Sequence, residues 1–179
     1  IELSPEFMPA RILKSVLNFT IENHEGVVKV SDEIIAIDPK NAMAYNNRAY
    51  GNIRLGRLDL AEADLETALK LQPEFAFAYN NRGLLKILRG KYDSAHDDIA
   101  KADKLWPKLP QVSLNRGMID AAKGKYEDAL GHFDRAVELE PTLAVAFEER
   151  AKVFRKMNRE SEARADESRV KELRIEQST

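Results

Sequence analysis

The chain of 179 residues contains no cysteine, a single tryptophan and no long apolar run. Without cysteine it forms neither disulfides nor cysteine-based metal sites, which leaves its compartment open. Without about 18 consecutive apolar residues, no segment is expected to insert into a membrane. Lys and Arg together number 28 against 30 for Asp and Glu, which gives a net charge of −2. The chain thus lacks the basic excess that phosphate binding needs, and we expect no nucleic-acid partner.

The sequence signatures of catalysis are also missing. There is no Gly-rich phosphate loop, no nucleophile elbow and no HExxH pair. The three histidines, His24, His96 and His132, are expected on second helices or turns and not together on one face. We therefore predict that the chain is not an enzyme and that it has no metal site and no cofactor.

What the chain does contain is a period of 34 residues. This period separates four prolines: Pro39, Pro73, Pro107 and Pro141. Small residues recur in phase with them, in two sets: Ala49, Gly83, Gly117 and Ala151, then Ala61, Ala95, Ala129 and Ala163. Small residues at fixed places let two helix backbones approach closely. A period without gaps indicates an array of repeats that form an extended binding surface.

Each repeat reads as two helices. Apolar residues recur at helical spacing, for instance Leu58, Ala61 and Leu65. Gly or Asn follows the first helix of a repeat, where a left-handed residue ends it, and Pro closes the second. The predicted helices cover residues 9–22, 25–37, 41–54, 58–71, 75–88, 92–105, 109–122, 126–139, 143–156 and 160–176. The last is polar on most faces, with Ala163 and Val170 turned inward, as in a helix that caps an array.

Two stretches carry the pattern almost completely: YNNRAYGNIRLGRLDLAEADLETALKLQP and YNNRGLLKILRGKYDSAHDDIAKADKLWP. They resemble the tetratricopeptide repeat family. The resemblance implies an all-α fold: a right-handed superhelical array of about five helix-turn-helix repeats with a polar C-terminal capping helix. We expect a single domain over residues 8–179, with repeats at 8–40, 41–74, 75–108, 109–142 and 143–176.

Residues 1–7 resemble a leader derived from an expression vector. Either Met8 is the natural start or residues upstream of it were removed. The sequence does not specify a compartment, and the cytoplasm is slightly favoured.

In this family the first helix of each repeat lines a concave groove. Carried over position by position, the resemblance makes ten residues candidates for ligand binding: Asn46, Asn47, Tyr50, Arg54, Phe77, Asn80, Asn81, Leu84, Asn115 and Met118. For the apolar candidates, simple core packing is an alternative that helical spacing leaves open.

Three of the candidates, Asn47, Asn81 and Asn115, are themselves 34 residues apart. Asn is a mediocre helix former, so a repeated asparagine inside a helix calls for a reason. Its amide both donates to and accepts from a peptide backbone. The arrangement is similar to the asparagine ladder with which some tetratricopeptide proteins hold an extended peptide. The alternative is a hydrogen bond between helices that fixes the geometry of the repeat, and the pattern does not separate the two.

An arginine follows these positions in repeats two to five: Arg48, Arg82, Arg116 and Arg150. We expect their stems to lie on the adjacent helix and their charges to pair with acidic residues such as Asp64, Asp98 and Asp134. Trp106, before Pro107, is either a contact point on the convex surface or packed into the turn, and packing is the preferred interpretation.

The first functional hypothesis is a scaffold or adaptor that binds a peptide or helical segment of a protein partner in the groove. The alternative is a structural protein that forms homo-oligomers through its repeat ends. A helical repeat that binds nucleic acid is disfavoured by the 34-residue period and by the charge.

Overall fold

The computed structural model describes residues 23–176. The predicted leader (1–7) and the predicted first helix (9–22) lie outside this range. Within it the chain forms α-helices joined by short turns, with no strand. The helices are α1 (His24–Ile37), α2 (Ala42–Arg54), α3 (Leu58–Leu71), α4 (Ala76–Leu88), α5 (Tyr92–Leu105), α6 (Pro110–Ala122), α7 (Tyr126–Leu139), α8 (Ala144–Lys156) and α9 (Glu160–Glu176).

The helix ends follow the turn residues that the sequence provides. The predicted bounds of these helices are confirmed to within one residue at either end. The turns within repeats contain Gly56, Gly90 and Gly124, whose φ angles are 74°, 71° and 75°, and Asn158, whose φ is 58°. Left-handed backbone of this kind ends a helix, and Gly and Asn adopt it at little cost.

The chain divides into two compact units, one ending at Leu85 and the other beginning at Lys86. In the N-terminal unit, α2, α3 and the first turns of α4 share a core that includes the large side chains Leu65 and Leu85. The small residues Ala49, Ala61 and Ala68 are fully buried in it. The predicted role of Ala49 and Ala61 as points of close helix approach fits this burial. The prediction of a single domain over residues 8–179 stays a prediction.

The core of the C-terminal unit is built around Phe133 of α7, which is fully buried with Ala129 and Ala136. Gly117 of α6 lies so close to this ring that an added Cβ would stand 2.5 Å from Phe133 Cε1. A side chain at Gly117 would therefore overlap the ring.

The last helix, α9, covers one side of the C-terminal unit with a narrow apolar stripe. Ala163, Val170 and Leu173 are buried, and most of its other residues are exposed. The predicted inward position of Ala163 and Val170 is confirmed. Within residues 23–176 no helix has the length and apolar character to cross a bilayer.

Trp106 corrects one expectation. It does not pack fully into the turn before Pro107, because 49% of its surface is exposed. It directly follows the last helical residue of α5 in extended backbone, with φ of −145°. Pro107 and Lys108, which follow it, are exposed as well.

Candidate functional site

The N-terminal unit carries most of the predicted groove residues, on α2 and α4. Asn47, Tyr50, Phe77 and Leu84 are partly exposed, and Arg54 is exposed. These five residues therefore include side chains that a ligand can reach directly.

Two other candidate asparagines of this unit, Asn46 and Asn81, are buried and bonded to each other across helices. Asn81 Nδ2 of α4 donates to Asn46 Oδ1 of α2 at 2.9 Å. Asn46 Nδ2 in turn donates to Asn47 Oδ1 at 3.4 Å. Asn80 is also buried, beside Asn81. Asn81 and Asn46 thus make the hydrogen bond between helices that the sequence left as an alternative to a ladder.

Asn47 is the partly exposed end of this amide relay, which we define as Asn81, Asn46 and Asn47. Its Oδ1 is occupied by Asn46, whereas its Nδ2 makes no hydrogen bond to any part of the chain that the structure describes. An amide has two N–H donors. The relay therefore fixes one side of the Asn47 amide and leaves the donor side available.

Aromatic and apolar side chains accompany this amide on α2 and α4. The Phe77 ring meets Phe75 edge to face, with centroids 6.1 Å apart, and Tyr50 meets His24 in the same way at 6.3 Å. Leu84 packs partly on the core of the unit. Met43, one turn before Asn47, is 48% exposed. This face consequently combines rings in fixed orientations with a flexible thioether.

In the C-terminal unit, α6 provides the two remaining candidates. Asn115 is only 1% exposed. Met118 is partly buried and packs against the core that contains Phe133. Asn115 therefore lies inside the packing of the repeat, and Met118 retains part of its surface for contact.

Comparison with known proteins identifies the architecture. Sequence models of the tetratricopeptide repeat match residues 42–75 and 110–143. The chain is a tetratricopeptide repeat protein. Both matches begin in phase with the 34-residue period, at the first residues of α2 and α6. No curated protein sequence matches the chain.

Solved structures of other proteins share this fold, and two of the three named below are described as tetratricopeptide repeat proteins. TTC0263, a thermophilic protein of Thermus thermophilus, superposes with a TM-score of 0.78 at 17% identity, covering 95% of this chain and 96% of the other. PilW, a type IV pilus biogenesis factor, gives 0.71 at 21% identity, with 97% and 80% covered. YrrB, described as a protein with an unusual peptide-binding site, gives 0.54 at 18% identity, with 89% and 82% covered. These superpositions show a common all-α repeat fold. Tetratricopeptide repeats such as those at residues 42–75 and 110–143 are generally scaffolds for protein partners.

The arginine after the repeated asparagine holds pairs of helices together in this tetratricopeptide protein. In the N-terminal unit, Arg48 Nε and Nη2 donate to Asp64 at 2.9 and 2.6 Å, and Nη1 donates to Asp32 at 2.6 Å. The guanidinium also lies over the Tyr45 ring, 5.5 Å from its centroid. The predicted pairing with Asp64 is confirmed. Hydrogen bonds from Arg48 to Asp64 raise the pKa of Arg48 further above its ordinary value.

Arg150 repeats this arrangement in the C-terminal unit. Its Nε and Nη2 donate to Asp166 at 2.9 and 2.6 Å, and its Nη1 donates to Asp134 at 2.7 Å. The predicted pairing with Asp134 is confirmed, and Asp166 is an additional, buried partner that sequence reasoning missed. Asp98, the third predicted acid, is paired with Lys86 Nζ at 2.7 Å.

Two histidines contradict the expectation that they would lie apart. His96 of α5 and His132 of α7 line one cavity of about 600 Å³ in the C-terminal unit, with α6 between them. They lie about one period apart in the sequence, and α6 packs against both of their helices, so the two side chains reach the same cavity. Among the described residues, however, no group of three or more His, Asp or Glu is placed to hold a metal ion.

Proposed function

We propose that this chain is a scaffold that binds a peptide or helical segment of a partner protein on the α2 and α4 face of its N-terminal unit. One observation carries the proposal: Asn47 presents an unused amide donor, and partly exposed apolar side chains lie on the same two helices. A peptide needs both features, because its backbone carbonyls accept hydrogen bonds and its side chains bury apolar area.

In this proposal the asparagines have two roles. Asn47 Nδ2 donates to a backbone carbonyl of the bound segment. Asn46 and Asn81 are positioning residues, because their hydrogen bonds fix the orientation of the Asn47 amide. In the C-terminal unit Asn115 is buried, so it is not a direct contact for a ligand in this proposal.

The apolar part of the proposed site comprises Phe77, Leu84 and Met43, with Tyr50 at its edge and Arg54 as a charged group for an acidic residue of the ligand. A rigid ring and a pliable methionine together accept side chains of different shapes. That YrrB, which shares the fold, is described as having a peptide-binding site supports a peptide as the ligand class.

The test is a selection of random displayed peptides against the full chain, followed by affinity measurements on matched variants. Asn47→Ala should weaken an enriched peptide about fivefold, the value of one neutral hydrogen bond of about 1 kcal/mol. Gln72→Ala removes an exposed amide that no predicted groove position includes, at the end of α3, and should leave the affinity unchanged.

A second pair of variants tests the apolar part. Met43→Glu should abolish most of the binding, because it places a charge where the peptide buries apolar surface. Leu60→Glu changes a similarly exposed residue (59%) on α3 and should have no effect. If no peptide is enriched by the folded chain, or if both members of each pair behave alike, the proposed site is wrong.

A further inference from the structure

The arginine of the fourth repeat, Arg116, lacks the acidic residues that bond its equivalents in the second and fifth repeats. Arg48 and Arg150 each bond two aspartates that lie 16 residues before and 16 residues after them. Acidic residues stand at both offsets of Arg82 as well, namely Glu66 and Asp98. At the same offsets from Arg116 the chain has Ala100 and His132. Arg116 alone of these four arginines has no carboxylate at either position.

Arg116 consequently has fewer hydrogen-bond acceptors around it than Arg48 and Arg150 have. Its Nη2 donates to Asp103 at 2.8 Å. Its Nε and Nη1 make no hydrogen bond to the described residues, whereas the same atoms of Arg48 and Arg150 are bonded. A guanidinium has five N–H donors in a fork that matches a carboxylate. Arg116 therefore retains donors that its counterparts use.

The cavity between α5, α6 and α7 lies at this place. Arg116, His96 and His132 line it together with Lys123 and Lys125, and buried Ile119 forms an apolar part of its wall. Its volume of about 600 Å³ lies within the range of roughly 300–1,000 Å³ that is typical of ligand pockets. The loss of the two acidic positions thus coincides with a cavity of ligand size.

Three aspartates also line the cavity, and two of them are already engaged. Lys123 Nζ donates to Asp93 at 2.8 Å and holds the pKa of that carboxyl below its ordinary value. Asp120 lies 3.3 Å from His132 Nε2. Asp97 is exposed. These carboxylates oppose a polyanion such as nucleic acid or a multiply charged phosphate, while a single carboxylate meets the unused donors of Arg116.

We propose that this cavity is a second binding site, which takes the side-chain carboxylate of an Asp or Glu in a segment of a protein partner. The carboxylate lies beside the Arg116 guanidinium and accepts from its Nε–H, the donor that bonds Asp64 in Arg48 and Asp166 in Arg150. Lys125 and His96 flank it. The site belongs to the C-terminal unit and does not depend on the α2 and α4 face.

The experiment uses the full chain and four probes. They are a seven-residue peptide with one central Glu among Gly and Ser, the same peptide with Gln, sodium acetate and inorganic phosphate. Binding is followed through the Nε–Hε NMR signal of Arg116, which is assigned by its loss in Arg116→Lys. The Glu peptide should shift this signal with millimolar affinity, acetate should do so more weakly, and the Gln peptide and phosphate should not.

A double variant supplies the decisive comparison. Asp120→Asn with His132→Asp gives the fourth repeat the residues that the second repeat has at these positions, Asn52 and Asp64. The introduced carboxylate should bond Arg116 internally and weaken the Glu peptide at least about tenfold. Asp120→Asn alone is the matched control and should bind the peptide at least as well as the unaltered chain. Melting temperatures of both variants confirm that they are folded.

Each outcome of this experiment either supports or overturns the proposed site. A shift by the Glu peptide that the double variant loses and the single variant keeps supports the site. Equal binding of the Glu and Gln peptides, equal binding by the double variant, or a response to phosphate alone overturns it. Acetate that binds as tightly as the Glu peptide overturns the assignment to a protein segment.

Discussion

At the scale of single residues, Arg48 shows how burial changes the contribution of an ion pair to the free energy of unfolding. Arg48 bonds Asp64, whose side chain is 8% exposed, and Asp32, whose side chain is 55% exposed. Asp64→Asn should lower the free energy of unfolding by about 1–3 kcal/mol, because two charge-assisted hydrogen bonds weaken in a partly dry place. Asp32→Asn should cost at most about 1 kcal/mol, since exposed pairs are screened by solvent. Chemical denaturation of both variants measures the difference, and equal losses would contradict it.

For two glycines in neighbouring helices, we expect substitution by Ala to change the free energy of unfolding in opposite directions. Gly117→Ala should lower the free energy of unfolding by about 1–3 kcal/mol, because its Cβ would overlap the buried Phe133 ring and force the core apart. Gly131→Ala meets no atom within 4 Å in an exposed part of α7. It should stabilise the chain by about 0.5–1 kcal/mol through helix propensity. Thermal melting of the pair checks this, and a stabilising Gly117→Ala would show that α6 and α7 pack less closely.

At the scale of helices, the small residues on the second helix of each repeat set the distance between packed helices. Ala95 of α5 and Ala129 of α7 are fully buried, so enlarging either to Leu should overpack a helix contact and cost about 1–3 kcal/mol. Ala63→Leu on α3 adds the same group at an exposed position and should change stability by less than about 0.5 kcal/mol. Unchanged melting of both core variants would mean that the repeat register is misplaced.

The helices were more predictable than the sites because local chemistry determines where a helix ends. Gly56, Gly90 and Gly124 adopt the left-handed backbone that their residue type favours, so the helix bounds follow from the sequence nearby. The burial of Asn115, in contrast, depends on how neighbouring helices pack around α6. Whether a repeated polar residue faces a ligand or a neighbouring helix is decided by that packing, which periodicity alone does not contain.

The cavity of the C-terminal unit was missed for a related reason. His96 and His132 come from different repeats, and neither forms a recognisable motif in its own segment. A signal was nevertheless present in the phase of the repeats, since Ala100 and His132 replace acidic residues at two fixed offsets from Arg116. In an array, a departure from the repeat is thus more informative about a site than a residue type taken alone.

At the scale of the whole molecule, the competing expectations are a monomer that binds other proteins and a self-assembling chain. The large apolar residues most exposed in the described part of the chain are spread over four helices and one turn: Met43 on α2, Leu60 and Leu71 on α3, Leu88 on α4, Ile175 on α9, and Trp106 after α5. A stable dimer typically buries about 800 Å² on each partner around an apolar centre. We therefore expect light scattering to give one chain mass of 20.3 kDa at every protein concentration tested.

A chain that ends at Arg159 provides the contrast to this monomer. It lacks α9, which buries Ala163, Val170 and Leu173 within the C-terminal unit. Without this polar cap, apolar side chains such as Phe154 lose cover, and an uncapped repeat end associates or loses structure. The shortened chain should show a mass that rises with concentration or a lower melting temperature, while the full chain stays monomeric. A full chain that dimerises equally well with Asn47→Ala would favour assembly through repeat ends, because the proposed peptide site would then play no part in the contact.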